Sequence, residues 1–155
     1  MPDNGRAGDI EVHMPLINFG SILGFAEEIE NQQLEFYNDV LKNSDCHACH
    51  APFETFAKAA KKRVKEVLRV RRENVTEMIL ETIEGFERKA FLITLEDVSA
   101  MAPRAVAHNA LELSNRSISF YKEAAQRLKG QAEVALALKN LAKKHGKELK
   151  KLQEL

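Results

Sequence analysis

The chain has 155 residues, and its 23 lysines and arginines balance its 23 aspartates and glutamates. This balance excludes a global field that would favour nucleic acid or an anionic membrane, and no apolar run approaches the ~20 residues that span a bilayer. We therefore expect neither nucleic acid nor a membrane as a partner. The length suits one domain with its own core, and the abundance of Ala, Leu, Glu, Lys and Arg favours helices.

The first predicted helix follows a polar tail. Residues 1–13 are polar and without periodicity, so we assign them to a tail and residues 14–155 to a single domain. Apolar residues at helical spacing predict a helix from about Gly20 to Leu41, with Ser21 as its N-cap. Glu30 falls on the apolar face of this helix.

The second predicted helix follows a loop at residues 43–51. Pro52 suits the first helical position, and the apolar periodicity continues to about Ile83. Arg63 shares the inward face of this helix with Ala60 and Val67, which makes it a candidate core residue.

A long link, residues 84–102, leads to two further helices. Pro103 opens the third predicted helix, which ends near Gly130, and the fourth runs from about Gln131 to the end of the chain. Gly146 inside the fourth helix costs about 1 kcal/mol relative to Ala, which predicts a close backbone approach at that point. The apolar patch Phe91–Ile93 in the link needs a cover, which favours a homodimer.

The order of these elements predicts the fold. Loops are short within each pair of helices, and the link between the pairs is long. This arrangement predicts an all-α fold, an antiparallel four-helix bundle built from two helical hairpins joined by a long crossover.

The two halves of the chain repeat one another. Residues 60–67 read Ala-Lys-Lys-Arg-Val-Lys-Glu-Val, and residues 142–149 read Ala-Lys-Lys-His-Gly-Lys-Glu-Leu. Upstream of each copy, Glu30-Asn31 followed by Phe36-Tyr37 matches Ser114-Asn115 followed by Phe120-Tyr121. The spacing indicates one duplicated unit of two helices.

On these segments the chain resembles the ferritin-like superfamily, most closely its rubrerythrin-like branch, across residues 20–152. The resemblance implies a bundle in which the first and third helices each supply a glutamate and the second and fourth each supply Glu-x-x-His, together holding two irons. It also implies iron-linked redox work. If the chain is an enzyme, the resemblance implies an iron-dependent oxidoreductase.

The chain departs from that pattern at most ligand positions. Glu30 is the expected type at the expected place, but Ser114 replaces its counterpart on the third helix. On the second helix, Arg63 replaces the glutamate and Glu66 replaces the histidine. The usual di-iron site is therefore expected to be eroded.

The fourth helix carries the family motif in reverse order, as His145 and Glu148. The remaining candidate ligands for iron or another transition metal are Glu30, Glu66, His145 and Glu148. The positive charge of Arg63 would repel a metal cation at this set of ligands. We expect Arg63 to pair with Glu30 or Glu148, because a buried carboxylate needs a partner.

The two cysteines of the chain lie in the segment Cys46-His47-Ala48-Cys49-His50. This spacing is that of the c-type haem attachment motif, in which the thiols bond the haem and the histidine ligates its iron. Two thiols and two imidazoles also make a zinc half-site, and a Cys-x-x-Cys pair at a helix start can be a redox dithiol. Cys46, Cys49 and His50 are the candidate cofactor-binding residues, and a segment without function is the remaining alternative.

Two functions stay open at this point. The first is a metal-binding redox protein that carries c-type haem or another metal at the cysteine segment and transfers electrons with a redox partner protein. The second is a non-catalytic four-helix bundle that serves as an interaction or assembly module and has lost metal chemistry. Covalent haem would imply a periplasmic or exported protein, and its absence the cytoplasm.

Overall fold

The computed structural model describes residues 15–74 and 83–155, except for the side chain of Cys49. Within these residues the chain forms four long helices that pack as a bundle, with an isolated bridge between Pro15 and Glu87 and no β-sheet. The predicted all-α class is confirmed. The helices are α1 (Phe19–Leu41), α2 (His50–Glu73), α3 (Pro103–Arg127) and α4 (Ala132–Gln153).

The N-cap residue of α1 differs from the predicted one. Asn18 is the N-cap, and its Oδ1 accepts a hydrogen bond from the backbone N–H of Ser21 at 2.8 Å. The hydroxyl of Ser21 in turn accepts from the backbone N–H of Asn18 at 3.2 Å. Ser21 is therefore the reciprocal partner in a capping box rather than the cap itself.

The predicted loop between α1 and α2 is mostly helical. Ser44–Cys49 form a 3₁₀ helix, and α2 begins directly after it at His50. Asn43 fixes this corner, because its side-chain amide donates to the carbonyls of Val98 and Met101 in the crossover at 2.9 and 2.8 Å.

The predicted end of the second helix falls partly outside the described residues. The helix α2 ends at Glu73 and is followed by a turn at Asn74. Residues 75–82 are not described. Ile83, the predicted last residue, is not helical. Its N–H donates to the carbonyl of Ile17 at 2.8 Å.

Most of the apolar patch in the link, residues 84–102, is covered by the link and by α3. Phe91 packs its ring against Phe86 and Phe120, with ring centroids 5.6 and 5.5 Å apart, and Ile93 is half-buried. Leu92 is the member of the patch that is exposed. The homodimer inferred from this patch stays a prediction. None of the described helices is both long and apolar enough to cross a membrane.

Gly146 does not mark a close backbone approach. A Cβ added at this position would meet no other atom within 4 Å, apart from the helix's own neighbouring backbone. The explanation predicted for this glycine is therefore wrong.

The helices pack most extensively in two pairs, α1 with α2 and α3 with α4. Each helix contributes buried apolar residues to two separate clusters, one toward each end of the bundle. Between these clusters every helix places buried polar side chains. They are Glu30 and Gln33 on α1, Arg63 on α2, Ser114 and Ser117 on α3, and His145 and Glu148 on α4.

Candidate functional site

A continuous set of buried polar side chains crosses the middle of the bundle, and we call it the polar layer. On α1, α3 and α4 its members lie three or four residues apart, so on each of these helices they share one face. The polar layer consists of the seven residues just listed together with Tyr37 on α1 and Tyr121 on α3.

Arg63 links the two glutamates of the polar layer. Its Nε donates to Oε1 of Glu30 at 2.9 Å, and its Nη1 and Nη2 donate to Oε1 and Oε2 of Glu148 at 3.0 and 3.3 Å. All three side chains are at most 5 % exposed. The predicted pairing of Arg63 is confirmed, and it involves both carboxylates. The bridge also joins the two helix pairs, because Glu148 lies on α4.

Two tyrosines complete the bonding of these carboxylates. The hydroxyl of Tyr37 donates to Oε2 of Glu148 at 2.5 Å, and that of Tyr121 donates to Oε2 of Glu30 at 2.6 Å. Each tyrosine reaches from its own helix pair to a glutamate of the other pair. The hydroxyls therefore act as donors in charge-assisted hydrogen bonds, which are stronger than neutral ones.

His145 is the second nitrogen donor to Glu30. Its Nε2 lies 2.7 Å from Oε2 of Glu30, and its ring stacks on Tyr121 with centroids 5.6 Å apart. Its Nδ1 is buried without a hydrogen-bond partner among the described residues. The contact with an ionised carboxylate places a proton on Nε2.

Burial and neighbouring charges shift the pKa values of the ionisable groups in the polar layer. Burial raises the pKa of Glu30, but the charges of His145 and Arg63 and the hydrogen bond from Tyr121 outweigh it and lower that pKa to about 2. Burial lowers the pKa of Arg63, but the two carboxylates raise it more, and the net shift is upward. Near neutral pH, Glu30 is therefore an anion and Arg63 a cation.

The tyrosines keep their protons for the same reasons. Burial, together with the charge of Glu148 and the bond to it, raises the pKa of Tyr37 well above its usual value. Burial and Glu30 do the same for Tyr121. Neither hydroxyl is positioned to give up its proton at neutral pH.

The residues present do not fit the two-iron site that the family resemblance implies. Each of the four oxygens of Glu30 and Glu148 already accepts at least one hydrogen bond from Arg63, His145 or a tyrosine. The guanidinium of Arg63 occupies the space between the carboxylates and carries the positive charge there. No step of chemistry through a metal pair follows from this geometry.

Glu66 lies apart from the other predicted metal ligands. Its carboxylate points to the outer face of α2 and pairs with Arg69 one turn further on. The structure thus brings together Glu30, His145 and Glu148, with Arg63 between them, and leaves Glu66 outside. In residues 15–74 and 83–155, no group of three or more His, Cys, Asp or Glu side chains is arranged to hold a metal ion.

The cysteine segment lies at one end of the bundle, away from the polar layer. Cys46 is buried in the apolar cluster that contains Phe36 and Phe53. His47 is exposed and His50 half-buried, and their rings meet edge to face with centroids 5.1 Å apart. Nε2 of His50 also lies 3.4 Å from the carbonyl oxygen of Asn43. The haem predicted at this segment stays a prediction.

Gln33 and Arg116 are among the buried polar residues that sequence reasoning missed. Gln33 donates to the hydroxyls of Tyr37 and Ser114, both at 3.1 Å, and its position on the same face as Glu30 and Tyr37 was a signal for this role. Arg116 is buried on α3, and burial lowers its pKa to about 10. A single arginine within an amphipathic helix gives no pattern that would have revealed it.

Comparisons of the chain with known proteins found no matching family model, no similar curated protein and no similar solved structure.

Proposed function

We propose that this chain is a non-catalytic four-helix bundle that serves as an interaction or assembly module. We further propose the antiparallel, ferritin-like topology of rubrerythrin-related proteins, with a fixed guanidinium in the place that the resemblance assigns to metal. The observation that carries the proposal is the position of Arg63, which donates to Glu30 and to Glu148 at the centre of the bundle.

The proposal is supported by what the carboxylates need in order to stay buried. An isolated buried carboxylate is very costly, and in a metalloprotein the ions supply the compensating charge. Here Arg63 and the hydrogen bonds from His145 and the tyrosines supply it from the chain itself. The fold can therefore persist without a metal and without the chemistry that a metal would bring.

Metal binding to the bundle centre tests this proposal. The cysteine segment is first silenced by Cys46→Ala, His47→Gln, Cys49→Ser and His50→Gln, which remove both thiols and both imidazoles. Equilibrium dialysis against Fe²⁺, Mn²⁺ and Zn²⁺ is then expected to leave no stoichiometric metal on the protein. Retention of one or more equivalents that disappears with Glu30→Gln would contradict the proposal.

A gain-of-binding variant tests the topology separately. Arg63→Glu with His145→Glu removes the guanidinium and the imidazole and adds two carboxylates at the centre, so iron uptake is expected to rise. Arg69→Glu with His108→Glu makes the same chemical changes at exposed positions and serves as the matched control. Equal uptake by both double variants would argue against a ferritin-like ligand geometry.

As a second candidate, we propose that the cysteine segment binds haem or a transition metal in electron transfer. The specific observation in favour is the contact between the rings of His47 and His50 beside Cys46. An absorption spectrum and metal analysis of the purified protein test it. A Soret band that survives acid–acetone extraction indicates covalent haem, and one equivalent of zinc lost on Cys49→Ser indicates a zinc site. Finding neither haem nor stoichiometric metal contradicts this candidate.

A further inference from the structure

A cavity of about 230 Å³ opens on the surface where α2 faces α4. Four lysines surround it and define what we call the lysine cavity: Lys62 on α2, and Lys144, Lys147 and Lys151 on α4. The last three recur at helical spacing, so they form one stripe along α4. All four are exposed.

Within the described ranges, 15–74 and 83–155, none of the four lysines takes part in a salt bridge, whereas Lys42 and Lys89 do. Elsewhere on α2, Arg69 is paired with Glu66 and Glu73. A local excess of positive charge therefore surrounds the opening of the cavity, although the whole chain is neutral.

The wall of the lysine cavity is apolar. Thr55, Phe56 and Ala59 line the cavity from α2, and Ala59 has the smallest of these side chains. The lysine stems add methylene groups, because long charged side chains cover apolar surface with their stems while the ammonium group stays in water. An ion without an apolar part would leave this wall unused.

At the base of the lysine cavity lie Arg63 and Glu148 of the polar layer. Arg63 uses three of the five N–H donors of a guanidinium on Glu30 and Glu148. Arg63 and Glu148 are thus paired with each other at the base, and the positive charge available to a ligand comes from the lysines at the rim.

We infer that the lysine cavity binds a small amphipathic carboxylate, with the carboxylate at the lysines and a short apolar chain or ring against Phe56 and Ala59. The cavity is somewhat smaller than the ~300–1,000 Å³ of typical ligand pockets, so the ligand carries a single short chain or a single ring. This inference goes beyond the proposed module function, and it does not depend on whether the bundle centre binds metal.

Calorimetric titration of the full chain with octanoate, in buffer containing a chelator, tests the inference. Octanoate is expected to bind to one site, while octan-1-ol and octylammonium bind on the order of tenfold more weakly or not at all, because they lack the negative charge. Inorganic phosphate tests the apolar wall, and it is expected to bind more weakly than octanoate. Equal binding of octanoate and octan-1-ol, equal binding of octanoate and phosphate, or no binding of octanoate overturns the inference.

Variants locate the site. Lys62→Gln with Lys147→Gln is expected to weaken octanoate binding on the order of tenfold. The control Lys122→Gln with Lys139→Gln makes the same change of net charge on exposed lysines outside the cavity and is expected to leave binding unchanged. Ala59→Leu keeps every charge but fills part of the cavity, and is expected to reduce binding while the helical circular dichroism stays the same. Equal effects of the two lysine pairs, or undiminished binding by Ala59→Leu, would overturn the assignment.

Discussion

The two repeats of the chain place different residues at matching positions of the polar layer. Arg63 of the first repeat matches His145 of the second, and Arg63 donates to two carboxylates whereas His145 donates to one. Glu66 matches Glu148, yet Glu148 is buried and Glu66 lies outside with Arg69. The charge of the layer is therefore compensated across the two repeats together, not within each repeat.

The tyrosines behave differently, because they are the same in both repeats. Tyr37 and Tyr121 occupy matching positions, and each donates to a buried glutamate of the other repeat. The repeats thus share the tyrosine donor and differ in the nitrogen donor, which is Arg63 in the first repeat and His145 in the second. Substitutions at matching positions of the two repeats test these shared and differing roles directly.

The largest effect is expected from removing the guanidinium. Arg63→Met leaves two buried carboxylates without their common cation and should lower the free energy of unfolding by about 3–5 kcal/mol. His145→Leu should cost less, because one carboxylate loses one donor while Arg63 stays in place. Urea denaturation followed by circular dichroism measures both variants.

Two comparisons make this prediction specific to charge. Arg69→Met removes an exposed guanidinium from the same helix and should change stability little, because exposed ion pairs contribute little. Adding Glu30→Gln and Glu148→Gln to Arg63→Met should restore part of the lost stability. Equal costs for Arg63→Met and Arg69→Met would show that the bridge does not stabilise the fold.

Acid should destabilise the protein through Glu30. Its pKa in the folded protein is about 2 against 4.5 for an unperturbed group, so its contribution is complete above about pH 4.5 and is lost as the pH falls toward 2. This contribution is about 3 kcal/mol. The facing groups are Arg63, His145, Tyr121 and, at longer range, Arg116.

Denaturation series between pH 6 and pH 2 measure this dependence. Glu30→Gln should remove most of the slope below pH 4.5, whereas Glu35→Gln, an exposed position on the same helix, should keep it. An unchanged slope in Glu30→Gln would place the acid sensitivity elsewhere in the molecule.

The tyrosine pair tests the feature that the repeats share. Tyr37→Phe and Tyr121→Phe should each lower stability by about 1.5–3 kcal/mol, the range for a hydrogen bond to a charged group. Their raised pKa values mean that stability is present below about pH 10 and is lost as the pH rises beyond it.

Absorbance gives a direct measurement, since these are the two tyrosines of the chain. Tyrosinate should appear in a single step that coincides with the loss of helical circular dichroism. A gradual appearance near pH 10 in a protein that is still folded would show that a hydroxyl is accessible.

Part of this arrangement was predictable from sequence. The helix pattern predicted which faces are buried, and the burial of Glu30 required a partner of opposite charge, which Arg63 on the facing helix could supply. The repeat also predicted the matching levels of Tyr37 and Tyr121. These inferences succeeded because they depend on helical spacing and on the cost of burying a charge.

Other features depend on which of two possible partners a side chain contacts, and helical spacing alone does not decide this. Glu66 could turn inward or pair with Arg69 one turn away, and a local pair on the same helix needs no burial of charge. Ser21 and Asn18 are both good caps, and the capping box uses both. The burial of Cys46 likewise results from the 3₁₀ helix that replaces the expected loop.

The smallest effect on stability is expected at Gly146, where the two repeats differ outside the polar layer. Gly146 matches Val64, and a Cβ at Gly146 would meet open space. Gly146→Ala should therefore raise the free energy of unfolding by about 0.5–1 kcal/mol, because alanine restricts the unfolded chain and favours helix. Val64→Ala on α2 gains helix propensity but loses packing, since Val64 is half-buried, and should not stabilise to the same extent. If Gly146→Ala instead destabilises the protein, the backbone beside His145 needs the conformational freedom of glycine.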